Sequence, residues 1–348
     1  MENHWIVSTS EPVLVTGANG FIGSRVVKTL LDYGFEQVRC FVRPSSNRTL
    51  LQRILASQHS NRVELIEGNL LVREHCEKAL TGVSVVFHLA AGIDKSYAGC
   101  FMNSVLTTRN LLEGSLSRPG LKRFVNVSSF AVYSNFHMKK RSQLDETAPL
   151  ETDHYKRDDP YGYAKLKQEQ IVLKYHREHQ IPYVILRPGA VYGPDKSALS
   201  GRIGIDTFGV FLHLGGANQI PLTYVDNCAE AIVLAGLVKG AQNQVFNVVD
   251  DDLPSSRSFL RMYKERVRRF VSIPVPYPVA YLLCSLWEGY SNWSGGQLPP
   301  RFNRRRCSAE WKGNRYPNDK LKKMIGWQPR IPFDQAAGLF FDSLRVKA

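Results

Sequence analysis

Tyr161 and Lys165 stand four residues apart in the run Asp159-Pro160-Tyr161-Gly162-Tyr163-Ala164-Lys165, and Ser129 lies upstream in Asn126-Val127-Ser128-Ser129-Phe130. A phenol, an ammonium and a hydroxyl together can move a proton to or from a carbinol oxygen. That is half of a redox reaction at a secondary alcohol; the other half needs a hydride carrier. The four-residue spacing stacks Tyr161 and Lys165 on one face of a helix. Asp158 or Asp159 can cap that helix, with Pro160 in its first turn. A free phenol titrates at about 10, and a neighbouring ammonium favours the phenolate, so Lys165 is expected to lower the Tyr161 pKa. Tyr161 then acts as general base in oxidation or general acid in reduction. Ser129 can hydrogen-bond the reacting oxygen and stabilise its developing charge.

A site for the carrier opens the chain. Pro12-Val13-Leu14-Val15-Thr16 is a short apolar run ending in glycine, as a buried parallel strand does. Gly17-Ala18-Asn19-Gly20-Phe21-Ile22-Gly23 follows, and residues 21–33 read as a helix with Ile22, Val26, Val27, Leu30 and Leu31 at helical spacing, ended by Gly34. Gly17 permits a tight turn, Gly20 lets backbone approach a pyrophosphate, and Gly23 lets the helix pack close to the sheet. The helix N-terminus then offers free N–H groups to phosphate. A glycine triplet alone says little; after an apolar strand it predicts a nicotinamide dinucleotide held by Gly17, Asn19, Gly20, Phe21, Ile22 and Gly23. Lys165 can also hold the nicotinamide ribose.

The next strand, residues 38–42, should end in a carboxylate if a ribose 2′-hydroxyl is to be held. It runs instead into Arg43-Pro44-Ser45-Ser46. An arginine fork suits a 2′-phosphate, so Arg43 favours NADP over NAD. Asn69 and Leu70, ending a third strand, are expected at the adenine. Leu89, Ala90 and Ala91, ending a fourth, are small enough to leave the cofactor room. His88 beside them reads as a packed core residue.

Further strands are expected at residues 62–67, 84–90, 124–128, 181–187 and 245–249, with a helix near 105–117. Such alternation predicts an α/β fold, a Rossmann-type doubly wound parallel sheet. Residues 11–195 form the dinucleotide-binding part, with sheet contributions from about 220–250. Residues 196–348 form mainly a smaller, interleaved substrate-binding region. Within it, 201–216 reads as glycine-rich and irregular, and 274–300 is rich in proline and aromatics.

Composition narrows the function classes. The 348 residues are 43% hydrophobic, enough for a large core, and carry a net charge of +14. The densest basic cluster is Arg301, Arg304, Arg305 and Arg306, near Lys320, Lys322 and Lys323. No recognition helix or zinc finger accompanies it, which argues against nucleic acid as a partner. The six cysteines form no CxxC pair and no metal-ligand spacing with histidine, so reduced thiols, no metal and a cytoplasmic location are expected. The first ten residues lack the order of a signal peptide. The most apolar window, 275–286, is too short to span a membrane and contains two prolines. It is expected to be a buried helix or the wall of an apolar pocket, with peripheral membrane contact as the alternative.

Over residues 12–249 the chain resembles an extended short-chain dehydrogenase/reductase, the superfamily of nucleotide-sugar epimerases and dehydratases, 3β-hydroxysteroid dehydrogenases and dihydroflavonol reductases. The resemblance rests on the glycine motif, His88 to Ala91, Asn103 in Asn103-Ser104-Val105, Ser129, Tyr161 with Lys165, Arg187-Pro188-Gly189-Ala190-Val191-Tyr192-Gly193-Pro194 and Tyr224-Val225-Asp226-Asn227. It implies a Rossmann domain, a nicotinamide cofactor and a Ser-Tyr-Lys triad at Ser129, Tyr161 and Lys165. It adds Asn103, Pro188, Tyr161 and Lys165 to the cofactor contacts, and implies a homodimer through the helix at 164–177.

Two departures bear on the substrate. Nucleotide-sugar members carry an Arg-Asp pair just before the segment matching Tyr224-Val225-Asp226, and the arginine grips the diphosphate. Here residues 218–224 hold no arginine, and Arg202 or the Arg304–Arg306 cluster would have to substitute. The apolar, proline-rich segment that follows is similar to the 3β-hydroxysteroid dehydrogenase branch. The expected function is thus interconversion of a secondary alcohol and a ketone on an apolar or lipid-like small molecule. The alternative is a nucleotide-sugar epimerase with retained NAD. Phe130 and Ala131, where a dehydratase needs an acid–base pair, argue against dehydration. A non-catalytic NADP sensor is the reading from another class, although sensors of this fold typically lack the tyrosine or the lysine, and both are present.

Overall fold

Seven short apolar strands lie parallel in the order Gln244–Val248, Tyr183–Pro188, Arg123–Val127, Val85–His88, Val13–Thr16, Val38–Val42 and Val63–Glu67. The computed structural model describes residues 5–345 except 58–59, 118–119, 197–198, 208 and 296. Side chains alternate across a strand, and the alternation builds two cores. Val13, Val15, Val85, Phe87, Val125 and Val184 face one; Leu14, Val86, Phe124 and Ile185 face the other. The helices Phe21–Asp32 and Val225–Leu237 close the first core, and Arg73–Ala79, Thr107–Leu116 and Pro160–His179 close the second. With both faces covered, strands can be apolar at every position. The doubly wound sheet is the one expected, and its strand ends fall within two residues of those expected.

The strand order reverses between Val13–Thr16 and Val85–His88. Such a switch point leaves a crevice at the carboxyl ends of the strands, where ligands of this architecture bind. The helix expected from about residue 105 begins earlier, through a π-helical turn at Phe101–Leu106. Ser104 O is claimed there by the Thr108 hydroxyl at 2.6 Å and by Gln168 Nε2 at 3.2 Å, which loosens the regular ladder.

Beyond residue 195 the structure is more regular than expected. Residues 201–216 contain an antiparallel hairpin, Gly204–Thr207 with Val210–His213, and Ser272–Pro274 adds a parallel third strand. Gly204 is required inside it, because a Cβ would lie 2.0 Å from Leu212 O. The helices Ser256–Arg266, Arg304–Trp311, Asp319–Ile325 and Phe333–Arg345 complete the region. Phe340 and Phe341 of the last helix enter the same core as Val13, with Phe341 5.4 Å from the Phe259 ring. This packing interleaves the C-terminal region with the sheet.

For the 275–286 segment the buried-helix expectation is corrected, whereas Cys284 of this segment does line the cavity described below. The segment begins a helix, Tyr277–Trp293, whose only buried residues are Ala280, Cys284 and Ser291. Its leucines point outward, so it is not a buried helix. No helix among the described residues is long and apolar enough to cross a membrane.

Candidate active site

The glycine loop forms a cradle at the switch point. Gly17 has φ +69°, the left-handed region that favours glycine, and a Cβ there would sit 2.9 Å from Ala90 N. At Gly23 a Cβ would lie 2.0 Å from Gly17 O, so the helix can approach the turn only without a side chain. Gly20 is the N-cap of Phe21–Asp32, and no side chain caps that end. A Cβ on Gly20 would meet only Gly17 O, at 3.1 Å; its outer side is open to the phosphates of a dinucleotide. Across the crevice, Thr16 Oγ1 accepts from Ala90 N at 3.3 Å and bonds His88 Nδ1 at 2.7 Å. His88 is buried and also bonds Thr108 at 2.9 Å, and burial pushes its pKa down to about 3. It holds the loop as a neutral core residue. These residues fit a nicotinamide dinucleotide.

The outlying cofactor candidates divide. Asn19 Nδ2 donates to Asn47 O at 2.9 Å, which ties the cradle to the loop after the second strand. Arg43, in that loop, is exposed, and its carbonyl closes a turn with Ser46. Asn69 is exposed, with its side chain in a local turn to Leu71 N. Leu70, by contrast, packs in the second core. Ala91 is exposed beside half-buried Leu89 and Ala90. Asn103 donates to Gly99 O at 3.0 Å and backs onto Gly92. Pro188 is buried at the end of its strand, and the next residue, Gly189, lines the cavity described below.

Ser129, Tyr161 and Lys165 come together. Asp159 caps the Pro160–His179 helix by accepting from Gly162 N at 2.9 Å, while Asp158 ends the preceding short helix in a left-handed conformation. Tyr161 and Ser129 line one cavity, and the Ser129 side chain draws the Tyr161 pKa down. Ser129 itself opens a short turn, its Oγ accepting from Ala131 N at 3.2 Å. Lys165 is 3% exposed; its Nζ donates to Val127 O at 2.8 Å and lies 5.9 Å from the Tyr161 ring centroid. Burial lowers the Lys165 pKa to about 8, opposed by Glu169. The expected lowering at Tyr161 is overturned. Tyr161 keeps part of its surface open to the cavity, yet dense protein around it pushes the phenol up to about 12, against the pull of Ser129. Here burial sets the direction, and the Lys165 ammonium is not among the groups that move the phenol.

A cavity of about 820 Å³ stands over the pair. Ser129, Phe130, Ala131, Tyr161, Gly189 and Ala190 line it, with Arg202, Ile205, Arg301, Phe302, Arg306 and Trp311 from the C-terminal region. The arginine cluster divides as its ion pairs dictate. Arg304 pairs with Glu288, and Arg305 with Glu151 and Asp153; Arg306 pairs with Glu310 inside the cavity wall. Arg202 donates to Ala309 O at 3.0 Å.

The sequence model of the NAD dependent epimerase/dehydratase family matches residues 13–248. The chain belongs to that family. It is an NAD(P)-dependent enzyme of the extended short-chain dehydrogenase/reductase type. A trifunctional UDP-glucose 4,6-dehydratase/UDP-4-keto-6-deoxy-D-glucose 3,5-epimerase/UDP-4-keto-L-rhamnose-reductase of Arabidopsis thaliana is 25% identical over 69% of this chain, a match covering 37% of that protein. A 3beta-hydroxysteroid-dehydrogenase/decarboxylase of the same plant is 24% identical over 97% of this chain and 80% of its own length. In fold the chain is similar to a UDP-glucuronic acid 4-epimerase from Bacillus cereus solved with NAD, with TM-score 0.70, 22% identity and coverage of 97% and 99% of the two chains.

Sequence reading of this epimerase/dehydratase family member missed two residues at the site. Arg157 donates to Ala131 O at 3.0 Å and Tyr133 O at 2.9 Å, bracing the turn behind Ser129, and Asn303 Nδ2 donates to Arg157 O at 3.0 Å. The signal for Arg157 was its place four residues before Tyr161 beside two aspartates. Asn303 carried none, since it arrives from 146 residues away. Among the described residues, no group of three or more His, Cys, Asp or Glu is placed to hold a metal ion.

Proposed function

We propose that this enzyme oxidises and reduces a secondary carbinol on a diphosphate-linked sugar, as a nucleotide-sugar epimerase does. One observation carries the reading: the cavity over Ser129 and Tyr161 has Arg202, Arg301 and Arg306 in its wall. Three guanidinium groups suit a diphosphate, and they stand in for the arginine that residues 218–224 lack. The bound nicotinamide supplies the hydride acceptor and donor. Tyr161 takes the hydroxyl proton as the carbinol is oxidised and returns it on reduction. Ser129 steadies the reacting oxygen, and Lys165 orients the ribose and offsets charge on the phenol. Residues after 195 supply the substrate side of the cavity. Six buried free thiols fit a reducing, cytoplasmic setting.

A second reading, a reductase that releases its cofactor after acting on an apolar substrate, draws on Ile205, Phe302 and Trp311 in the same wall and on exposed Arg43. It favours NADP.

Purified enzyme incubated with UDP-glucose or UDP-glucuronic acid decides between them. Epimer formation without net nicotinamide reduction supports the first reading, with Tyr161→Phe losing turnover while keeping cofactor. Released reduced cofactor with an NADP preference that Arg43→Ala abolishes supports the second. Full turnover in Tyr161→Phe overturns both.

A further inference from the structure

The Tyr277–Trp293 helix turns its apolar side to the outside. Val279, Leu282, Leu283, Leu286, Tyr290 and Trp293 recur at helical spacing on the outer face. Leu282, Leu283 and Leu286 are 58, 56 and 63% exposed, and Trp293 is 82% exposed. The edge strand of the small sheet extends the patch. Ile273 is in register with Leu212, which packs in the cluster formed with this helix, and Val271 and Ile273 are both at least half exposed. A contiguous apolar surface of this kind marks an interaction site.

Charge identifies the occupant. Residues 257–306 carry ten Lys and Arg against two Glu; Arg304, Arg305 and Arg306 are held in ion pairs, and the excess outside those pairs lies mainly at the 257–269 end. The helix has one charged residue, Glu288, and Arg304 pairs with it at 3.0 Å. Trp287 meets the Phe302 ring at 5.7 Å, which lays the basic 301–306 segment alongside the helix. At the other end, Arg268 and Arg269, both exposed, lead into Val271. A second copy of this chain would set cations against cations across the same face. An anionic bilayer takes up both the apolar stripe and the flanking charge. Trp287, Tyr290 and Trp293 suit the headgroup level, where aromatic rings with a polar edge collect. We infer that this helix docks the enzyme peripherally on an anionic lipid surface, lying in the plane of the interface.

The test is co-sedimentation of the full chain with vesicles of phosphatidylcholine containing about one-third phosphatidylserine, against pure phosphatidylcholine. The bound fraction should be higher on the anionic vesicles and fall at high salt. It should also drop by about tenfold or more in the double variant Leu283→Glu/Leu286→Glu. Both leucines are exposed, and unchanged nicotinamide binding checks that the variant is folded. Arg268→Glu/Arg269→Glu should weaken binding to anionic vesicles alone. No binding by the unaltered chain, or binding undiminished in the leucine variant, overturns the inference. So does a concentration-dependent dimer that the leucine variant abolishes in a chain that ignores vesicles.

Discussion

Arg187 and Glu169 meet in a two-pronged ion pair, Nε to Oε1 at 2.9 Å and Nη2 to Oε2 at 2.6 Å, with 4% and 2% of their surfaces exposed. The third guanidinium nitrogen, Nη1, donates to the Tyr133 hydroxyl at 2.9 Å, which donates to Asn247 Oδ1 at 2.7 Å. The network joins two strands of the parallel sheet to the Pro160–His179 helix, close behind the turn that Ser129 opens. Glu169 also lies one helical turn beyond Lys165, where its charge holds the ammonium's pKa up against burial.

Removing one partner of this pair leaves the other charged and dry. Arg187→Met should cost about 3–5 kcal/mol in urea unfolding. Adding Glu169→Leu to that variant should recover part of the loss. A double variant as unstable as the sum of the two single ones would show that the pair is not coupled.

Lys165 should be a stability cost that function retains. Its folded pKa of about 8 lies below that of an ordinary lysine. Between about 8 and about 10.4 the unfolded chain therefore binds the extra proton, so this group's contribution rises with pH across that window. Below it the burial penalty is present in full. Lys165→Met should stabilise the chain at pH 7 by about 1–3 kcal/mol, a gain that shrinks toward pH 10, while weakening nicotinamide retention. A variant equally destabilised at both pH values would refute this.

Asp250 has the opposite sign. It is buried and accepts from Tyr224 N at 2.8 Å and Asn227 Nδ2 at 3.3 Å, yet burial pushes its carboxyl up to about 7. Between about 4 and 7 the folded state holds the extra proton, so this group's contribution falls as pH rises, by at most about 1.4 kcal/mol per pH unit. Asp250→Asn should flatten that slope. Melting both proteins at pH 5 and pH 8 checks it; identical pH responses would assign the slope elsewhere.

What could be read from the chain alone was what depends on near neighbours. Val13 to Thr16 with Gly17, Gly20 and Gly23 is a local pattern, and so is the stacking of Tyr161 on Lys165. Both survive in the structure. The Tyr161 shift was misjudged because burial, which the fold creates from separate segments, raises it and outweighs the downward pull of Ser129. The hairpin at Gly204–Thr207 was hidden by the glycines needed for its close strand approach. In the Tyr277–Trp293 helix the apolar content was visible and the outward direction was not, because composition does not say which side of a segment meets the protein.

Phe340 and Phe341 have a bearing on how the molecule is made. They share a core with Val13, more than 300 positions earlier, so the sheet that presents Gly17 is sealed by a helix synthesised long after it. Closing so long a loop is slow. A nascent chain should therefore emerge with its first strands laid down and one side still bare, and should gain a firm grip on its dinucleotide only after translation has passed residue 341.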